Sequence, residues 1–499
     1  MTAFDLDRDA CYRALQTRDP RFDGRFYTAV RTTGIFCRPI CPARTPKLEN
    51  CIFLPSAAAA HQMGFRPCLR CRPEVAPGVA GWRGSAATVS RALHLIAEGA
   101  MDGQGVNALA DRLGVGARHL RRLFDQHVGA APVSVAQTHR ILFAKTLINE
   151  TGLSMTDVAL AAGFGSVRRF NTVMQATYGR PPRELRRSAR AADGEKAGVT
   201  LKLPFSPPYD WAAMAAFLAP RAIPGVEQVE PDRYRRSVAL ERATGVVEVR
   251  PVPGQNHLLA AIWISDVSAL AAVVARLRRL FDLDADILAI DAHLARDARL
   301  APLVRERPGL RVPGAWDGFE LAVRAVLGQQ VSVRAATTFA GRLAAAHGQA
   351  LDLAGLPGDG PDRLFPTPEA VGGAELTAIG LTRARAATLN ALGRAMAADR
   401  NLLRAYETLE ETALKLTALP GIGPWTAQYV AMRALREPDA FPASDLGLLR
   451  AMETSEGRPS PAALSATAEA WRPWRAYAAL RLWMQGAPSP AEGEMALAS

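Results

Sequence analysis

The sequence of 499 residues is poor in cysteine, and all six cysteines lie within its first 71 residues. No residue after Cys71 can form a disulfide or supply a reactive thiol, so a second thiol-dependent centre is excluded from that part of the chain. No apolar run is long enough to span a bilayer, and MTAFDLDRDA lacks the basic and then apolar order of a secretory signal. These absences predict a cytoplasmic protein without membrane contact, and the length predicts three or four domains.

Acidic residues are scarce in the first part of the chain. Residues 1–190 carry 27 Lys and Arg against 14 Asp and Glu, a net charge of +13, whereas the whole chain has a formal net charge of +12. The basic excess is therefore confined to the N-terminal part, which favours a polyanion such as nucleic acid as the partner. An Arg-rich and Ala-rich composition that reflects only genome bias is the alternative.

Four of the cysteines form two close pairs, Cys37-x3-Cys41 and Cys68-x2-Cys71. Two pairs of soft ligands are what tetrahedral Zn²⁺ needs, so the spacing predicts one four-cysteine zinc site. The spacing alone favours a structural site over a reactive one. Cys11 and Cys51 lie outside the pairs and are expected to be packed free thiols.

Two later stretches resemble each other at a spacing of about fifty residues. VNALADRLGVGARHLRRLFDQHVG and MTDVALAAGFGSVRRFNTVMQATYG each place an apolar helix, a glycine turn at Gly114 or Gly163, and a second helix with arginines. This is the helix-turn-helix pattern, present twice, and it predicts DNA binding. The candidate DNA contacts on the second helices are Arg118, Arg121, Arg122, Arg168 and Arg169.

AVRTTGIFCRPICPAR and GFRPCLRCRPE resemble the N-terminal domain of the Ada family, which repairs methylated DNA phosphates, over about residues 5–75. The resemblance implies that Cys37 is both a zinc ligand and the nucleophile that irreversibly takes the methyl group of a DNA methylphosphotriester. A zinc-bound thiolate suits that role because it stays ionised and nucleophilic at neutral pH. A structural zinc finger without methyl transfer is the alternative.

Methyl transfer would also change the charge of the site. Four thiolates on Zn²⁺ carry a formal charge of −2, and alkylation of one leaves −1, so repulsion from the DNA backbone falls and binding should tighten. Arg38, Arg44 and Lys47 are candidates for phosphate contacts, with solvated surface charge as the alternative.

The duplicated helix-turn-helix resembles the AraC-type domain that follows in Ada. The resemblance implies promoter DNA as a partner, and RNA polymerase is a further expected contact. Because two units in one chain can read two half-sites, a monomer is expected.

PPYDWAAMAAFLAPRAIPGVE, RPGLRVPGAWDGFELAVRAVLGQQVSV and LPGIGPWTA resemble the AlkA family of 3-methyladenine DNA glycosylases, over about residues 200–487. LPGIGPWTA has the form of the hairpin in a helix-hairpin-helix, where Gly421 and Gly423 allow a tight turn whose amides approach a phosphate. A monovalent cation held by hairpin carbonyls is expected when DNA is bound.

The resemblance also assigns catalytic residues. Asp445 stands where the family has its catalytic acid, which implies that it stabilises an oxocarbenium-like transition state. As an isolated residue, Asp445 could equally cap the next helix. Trp425 replaces the hairpin lysine that forms a Schiff base in several relatives, which predicts a monofunctional enzyme that leaves an abasic site.

Aromatic residues at family positions predict a pocket for an extruded base, with core packing as the alternative for Trp483. The pocket candidates are Trp425, Tyr429 and Trp483. Gln330 stands at the position of the family's apolar DNA wedge, so flipping efficiency and substrate range are left open. Whether Gln329 shares that role is undecided at this stage.

The predicted fold class is multidomain α+β. The modules are a small zinc-stapled α/β domain at 1–78, an all-α domain with two helix-turn-helix units at 84–188, a small antiparallel-sheet α+β domain at 199–312 and an all-α helix-hairpin-helix domain at 313–490. The predicted function is a bifunctional response to DNA alkylation, combining methyl sensing, transcriptional activation and excision of alkylated bases. The alternative is an alkylation-sensing regulator whose second half is a catalytically silent DNA clamp.

Overall fold

The computed structural model of the chain describes residues 7–76, 86–186, 198–352, 360–403, 408–455 and 457–485. Two compact units are present, one formed by Met1–Ser206, Gly254–Ala275 and Leu283–Ala285, the other by Pro207–Pro253, Arg276–Asp282 and Asp286–Ser499. The predicted domain boundaries at 78, 84, 188 and 490 lie outside the described residues, and the division into four modules stays a prediction. In the described part of the chain, no helix combines the length and apolarity that a bilayer crossing needs.

The N-terminal module is a small sheet with two short helices. Its strands have the order β3-β1-β2-β4, antiparallel except for the parallel pair β2 and β4. The apolar core is small and centres on Tyr27, Phe36 and a few alanines. A core of this size suits a fold that a metal stabilises. The elements are α1 (Arg8–Thr17), β1 (Tyr27–Val30), β2 (Ile35–Cys37), β3 (Cys51–Leu54), α2 (Ala57–Gln62) and β4 (Arg66–Pro67).

Six helices follow within the described residues 86–186. They are α3 (Ala86–Ala97), α4 (Val106–Leu113), α5 (Ala117–His127), α6 (Pro132–Glu150), α7 (Met155–Ala161) and α8 (Val167–Tyr178). Four of them, α4–α5 and α7–α8, form the two predicted helix-turn-helix units. The turns contain Gly114 at φ 70° and Gly163 at φ 77°. A side chain at Gly163 would collide with the carboxylate of Asp102, so glycine is required there. The α5 and α8 helices are the second helices of the two units.

The N-terminal module contacts α6, the helix between the two units. Ser56 at the start of α2 donates a hydrogen bond to the carbonyl of Val128 at 2.8 Å. The His61 ring and the Thr138 hydroxyl are 3.1 Å apart, and Arg72 pairs with Glu150 at 3.1 Å. The cysteine-bearing sheet and the helix-turn-helix units are therefore joined by one polar contact at the end of α5 and two on α6.

The predicted antiparallel strands are present in the third segment. Strands β5 and β9 pair antiparallel, with Leu201 opposite Ala260, while β6, β7 and β8 form an antiparallel meander. The elements are β5 (Val199–Pro204), α9 (Trp211–Leu218), β6 (Glu227–Glu230), β7 (Arg233–Leu240), β8 (Ala243–Pro251), β9 (His257–Ile264) and α10 (Leu270–Leu280).

The remaining elements are helices, and several of them, including α13, α14, α16 and α18, pack around one large apolar cluster. Ala-rich faces let these helices approach closely, and the largest cluster members are Phe319, Leu321, Leu343, Leu389 and Met396. These helices are α11 (Ile287–Leu294), α12 (Leu300–Glu306), α13 (Gly318–Leu327), α14 (Val333–His347), α15 (Pro368–Gly373), α16 (Arg383–Ala398), α17 (Leu409–Thr417), α18 (Pro424–Arg433), α19 (Leu446–Ala451), α20 (Pro461–Ala468) and α21 (Arg475–Trp483).

A buried ion pair links β7 to α13. Arg236 is 2% exposed and donates a hydrogen bond to the Glu320 carboxylate at 2.7 Å, while the Glu227 carboxylate lies 3.5 Å away. Burial raises the pKa of Glu320, although Arg236 opposes this shift. The pair is thus held in a medium where an unpaired charge is costly.

We expect Glu320→Gln to lower the free energy of unfolding by about 3 kcal/mol, because Arg236 would keep its charge and lose its nearer buried carboxylate, leaving only Glu227 at 3.5 Å. Glu369, which pairs with Arg400 at the surface, provides the control. Glu369→Gln should cost about 1 kcal/mol or less, since exposed pairs contribute little. Denaturant unfolding followed by tryptophan fluorescence measures both, and equal effects would contradict the expectation.

Candidate metal centre and base pocket

The four paired cysteines meet at one end of the N-terminal sheet. Cys37 ends β2 and Cys68 follows β4, and because these neighbouring strands are parallel, both side chains reach the same edge. The Sγ atoms of Cys37, Cys41, Cys68 and Cys71 all lie within 4.8 Å of one another. Four soft donors at this separation fit a single Zn²⁺ ion with Zn–S bonds of about 2.3 Å.

Backbone amides support negative charge on this cluster. The N–H of Arg38 donates to Cys71 Sγ at 3.3 Å, and the N–H of Arg70 donates to Cys68 Sγ at 3.4 Å. Cys41, Cys68 and Cys71 are buried, whereas Cys37 is partly exposed. Cys37 is thus the most exposed residue of the four.

The two other cysteines lie outside the cluster and are buried. Burial, reinforced by Asp7, raises the pKa of Cys11 to about 11, and burial also raises the pKa of Cys51. Neither thiol therefore has the character of a nucleophile at neutral pH.

Arg38 is buried beside the metal site and does not face solvent. Its guanidinium pairs with the Asp23 carboxylate and donates to the Cys71 carbonyl at 3.1 Å. This placement corrects the prediction of Arg38 as a phosphate contact, because that contact would require breaking a buried pair. Arg44 and Lys47 are exposed, as a DNA contact requires. The role of Asp23 was missed, since no pattern links it to the cysteines.

All five predicted arginines of the helix-turn-helix units are exposed: Arg118, Arg121 and Arg122 on α5, and Arg168 and Arg169 on α8. Ser166 caps α8 by accepting a hydrogen bond from the N–H of Arg169 at 3.2 Å. The cap begins α8 immediately before its two arginines, which therefore lie in the first turn of the helix.

A cavity of about 940 Å³ opens in the C-terminal helices. It is lined by the end of α13 and the loop after it, the start of α18, Ser444 and Asp445 before α19, and the end of α21. All three predicted aromatic residues line it, together with Gln329, Gln330, Gly423 and Asp445. A cavity of this size can hold a nucleobase.

Both oxygens of the Asp445 carboxylate are held. Oδ2 accepts a hydrogen bond from Trp425 Nε1 at 2.8 Å, and Oδ1 accepts one from Trp483 Nε1 at 2.9 Å. Oδ1 also accepts from the N–H of Leu448 at 3.1 Å, which makes Asp445 the N-cap of α19. The sequence allowed Asp445 to be a helix cap or the catalytic acid of the family. The cap is present, and the same carboxylate lines the cavity, while its catalytic role stays a prediction.

Two of the three aromatic rings that line the cavity are in contact with each other. Trp425 and Tyr429 stack on each other, with centroids 5.3 Å apart and an interplanar angle of 10°. Trp483 is tilted by 59° to Tyr429. An extruded base therefore cannot enter between Trp425 and Tyr429 without separating them, and the ring faces left for stacking are the outer ones.

The hydroxyl of Tyr429 lies among cationic groups. It accepts a hydrogen bond from Arg433 Nη1 at 2.7 Å, and Arg433 is held by the carbonyls of Pro313 and Gly314. Burial opposes ionisation of this tyrosine, but the guanidinium groups of Arg433 and Arg221 outweigh it and lower the pKa of Tyr429. One side of the cavity is therefore electropositive.

The two glutamines of the loop after α13 differ in their environments. Gln329 donates from Nε2 to the Gly421 carbonyl and the Thr426 hydroxyl, each at 3.0 Å. Gln330 is exposed and has the left-handed φ of 57°. Gln330 is therefore free to enter a DNA stack, whereas Gln329 ties its loop to the hairpin.

The predicted hairpin joins α17 to α18. Gly421 has φ 76°, and a side chain there would collide with Thr388, so glycine is required. Gly423 is the N-cap of α18. The first amides of α18 thus begin at the hairpin, where a phosphate would be favoured by the helix terminus.

Comparison with known proteins follows the same division of the chain. Residues 10–74 match the family described as the metal binding domain of Ada, residues 109–188 match a helix-turn-helix domain, and residues 200–317 match the AlkA N-terminal domain. The predicted resemblances to Ada and AlkA are confirmed by these matches, and the first supports zinc as the metal of the four-cysteine cluster.

Relatives cover both halves of the chain. A Mycobacterium tuberculosis H37Rv protein, described as a probable bifunctional transcriptional activator/DNA repair enzyme AlkA, is 42% identical over 482 residues, 96% of each chain. DNA-3-methyladenine glycosylase 2 of Escherichia coli K12 is 35% identical over 285 residues, 56% of this chain and 95% of its own. The solved 3-methyladenine DNA glycosylase of Archaeoglobus fulgidus shares the fold, with a TM-score of 0.50 and 23% identity over 57% of this chain and 97% of that one. The chain therefore belongs to the family of bifunctional transcriptional activator/DNA repair proteins that join an Ada-type metal-binding and helix-turn-helix half to an AlkA-type glycosylase half.

Proposed function

We propose that the C-terminal half removes alkylated bases from DNA by hydrolysis of the N-glycosidic bond. The observation that carries this proposal is the Asp445 carboxylate in the wall of a base-sized cavity, held by two indole N–H groups. A held carboxylate stabilises positive charge that develops at C1′ as the base leaves, and it can orient the attacking water. Because the donors are already in place, little reorganisation is needed during the reaction.

The enzyme is proposed to be monofunctional. Strand cleavage by this superfamily needs an amine that attacks C1′ and forms a Schiff base. Trp425 occupies the predicted amine position, and no lysine is among the described residues that line the cavity. The expected product is an intact strand with an abasic site.

DNA binding by this half is assigned to the hairpin and to the loop after α13. Gly421 and Gly423 bring backbone amides to a phosphate, and a monovalent cation joins the hairpin carbonyls when DNA is bound. Gln330 fills the space of the flipped base and can hydrogen-bond the orphaned partner base, while Gln329 positions this loop through its bonds to Gly421 and Thr426.

The N-terminal half is proposed to accept a methyl group on Cys37. The bond between the methyl carbon and the phosphotriester oxygen breaks, a bond to Sγ of Cys37 forms, and a phosphodiester anion is left. Zn²⁺ held by Cys37, Cys41, Cys68 and Cys71 would keep the Cys37 thiol ionised at neutral pH, and methylation of that thiolate would change the formal charge of the site from −2 to −1. The partial exposure of Cys37 beside three buried ligands supports its choice as the acceptor.

The methylated protein then binds promoter DNA more tightly through the arginines of α5 and α8. We further propose that it works as a monomer in the cytoplasm and activates transcription through a contact with RNA polymerase. The competing proposal is a methyl-sensing regulator whose second half is a silent clamp, and the two differ in whether free bases are released.

The test uses the full-length, zinc-loaded protein with duplex DNA treated with a methylating agent. Release of free 3-methyladenine and 7-methylguanine, with abasic strands that stay uncut until alkali is added, supports a monofunctional glycosylase. If the folded protein binds the DNA and releases no base, the result supports the competing proposal of a catalytically silent clamp.

We expect Trp425→Phe to slow base release by about tenfold or more, because the charged Asp445 carboxylate loses the hydrogen bond that Trp425 Nε1 donates to Oδ2. Trp471 provides the matched control, since its indole donates to the Asp297 carboxylate at 2.9 Å outside the base cavity. Trp471→Phe should lower stability and leave the rate of the folded enzyme unchanged. Single-turnover rates at saturating enzyme measure the effect, and equal rates for both variants would refute this role of Trp425.

A further inference from the structure

Two arginines that no motif predicted line the base cavity beside the aromatic residues. Arg221 follows α9, and Arg324 lies on the last turns of α13. The guanidinium of Arg221 lies 3.9 Å from the centroid of the Phe217 ring and donates one hydrogen bond to the Phe217 carbonyl at 2.8 Å. Stacking and this bond together fix the plane of the Arg221 guanidinium at the cavity wall.

Arg221 has donors to spare. A guanidinium carries five N–H donors and no acceptor, and among the described residues no carboxylate pairs with Arg221. Arg324 is only loosely compensated, since its Nη1 lies 3.7 Å from the Glu227 carboxylate and has no hydrogen-bond partner. Burial, with Arg433 and Arg324 adding to it, lowers the pKa of Arg221. The Phe217 carbonyl and the Tyr429 hydroxyl occupy two of the five N–H donors of Arg221, so this cationic group keeps further donors for a ligand.

The cavity is therefore polarised. The Asp445 carboxylate carries the negative charge that suits the sugar, where positive charge develops. The guanidinium groups of Arg221 and Arg324 suit the base, which takes the electron pair when the glycosidic bond breaks. A base that leaves as an anion gains from these cations, whereas a cationic base that leaves neutral gains less.

We propose that Arg221 is a specificity-determining residue that donates hydrogen bonds to the exocyclic carbonyl oxygen at C6 of a flipped purine and so favours damaged purines with a carbonyl over those with an amino group at this position. An exocyclic amino group at C6 is a donor and cannot accept from the guanidinium, so it leaves those N–H groups of Arg221 unsatisfied. A carbonyl oxygen accepts from it, as the guanine oxygen accepts from arginine in DNA recognition. The inference rests on the proposed glycosylase function and names the substrate class of the same cavity.

Three bases serve as probes because they separate charge from the exocyclic group. In DNA, hypoxanthine is neutral with a carbonyl at C6, 7-methylguanine is cationic with a carbonyl at C6 and an amino group at C2, and 3-methyladenine is cationic with an amino group at C6. In Arg221→Met we expect release of hypoxanthine and 7-methylguanine to fall by about 10- to 100-fold relative to 3-methyladenine, with hypoxanthine falling most. Arg221→Gln, which keeps a neutral donor, should recover part of the loss.

Arg342 provides the matched control. Its guanidinium also lies over a phenylalanine ring, Phe339, and donates to a backbone carbonyl, that of Ile379 at 3.3 Å, but it does not line this cavity. Arg342→Met should leave the ratios between the three bases unchanged. A uniform fall for all three bases in Arg221→Met would mean that Arg221 is merely structural and would overturn the proposal.

Binding of free bases separates this inference from the glycosylase proposal. Quenching of tryptophan fluorescence by free hypoxanthine, 7-methylguanine and 3-methyladenine needs no turnover. A parent protein that prefers the two carbonyl-bearing bases, with the preference lost in Arg221→Met, supports the inference even if no base is ever released from DNA. Equal binding of all three bases by the parent would overturn it, whatever the glycosylase assay shows.

Discussion

Asp445→Asn is expected to slow the release of 3-methyladenine and 7-methylguanine by about 100- to 1000-fold, because an amide carries no charge to stabilise C1′ in the transition state. The fold should survive, since asparagine is as good a helix cap as aspartate. One indole N–H will meet the new amide nitrogen, so a small change in tryptophan fluorescence is expected. Free bases are quantified against time from methylated duplex DNA.

The control for Asp445→Asn is an aspartate with the same cap role outside the cavity. Asp286 caps α11 by accepting a hydrogen bond from the N–H of Ala289. Asp286→Asn should release bases at the parental rate. If Asp445→Asn stays within about threefold of the parent, the carboxylate is only a cap and the proposed catalytic role is wrong.

Cys37→Ser is expected to abolish methyl transfer from a methylphosphotriester, because a serine hydroxyl is a far weaker nucleophile and zinc ligand than a thiolate. The parent should gain the mass of one methyl group, located on Cys37 by peptide mapping. Cys51→Ser removes a buried thiol outside the metal site and should leave transfer intact. A methylated Cys37→Ser protein would place the acceptor elsewhere.

The same variant tests the charge switch. Methylation of the parent removes one negative charge near the DNA, which at about 10 Å from a phosphate corresponds to roughly tenfold tighter promoter binding at low salt. Cys37→Ser should show no such gain after exposure to methylated DNA. Promoter affinity measured at two salt concentrations before and after exposure gives the comparison, and an equal gain in both proteins would contradict an electrostatic switch at Cys37.

The metal site was predictable because its geometry is local. Two short spacings place each pair of cysteines, and only the parallel pairing of β2 with β4 had to bring the pairs together. Arg38 shows the limit of the same reasoning. Its place next to Cys37 suggested a phosphate contact, but its burial depends on Asp23, 15 residues away and outside any motif.

The resemblance to AlkA predicted which residues line the base cavity, but it did not predict how their side chains contact one another. The hydrogen bonds that Trp425 and Trp483 donate to Asp445 depend on how α18, α19 and α21 pack. The two tryptophans are 20 and 38 residues from Asp445 in the sequence. The stacking of Trp425 on Tyr429 has the same origin. Arg221 was missed because an arginine at the end of an Ala-rich helix looks like an ordinary C-terminal residue, and its position in the cavity is set by Phe217.

The α6 helix between the two helix-turn-helix units has 19 residues, Pro132–Glu150. At 1.5 Å per residue, such a helix is a strut of about 28 Å, close to one turn of B-form DNA at about 34 Å. A helix of this kind does not stretch or twist by half a turn to adjust the spacing of the two units, whereas a flexible linker would. If the two units read two sequence elements of a promoter, as proposed, the length of α6 restricts the spacing between these elements. Inserting about five base pairs between them would turn one element to the far side of the duplex and is expected to weaken binding.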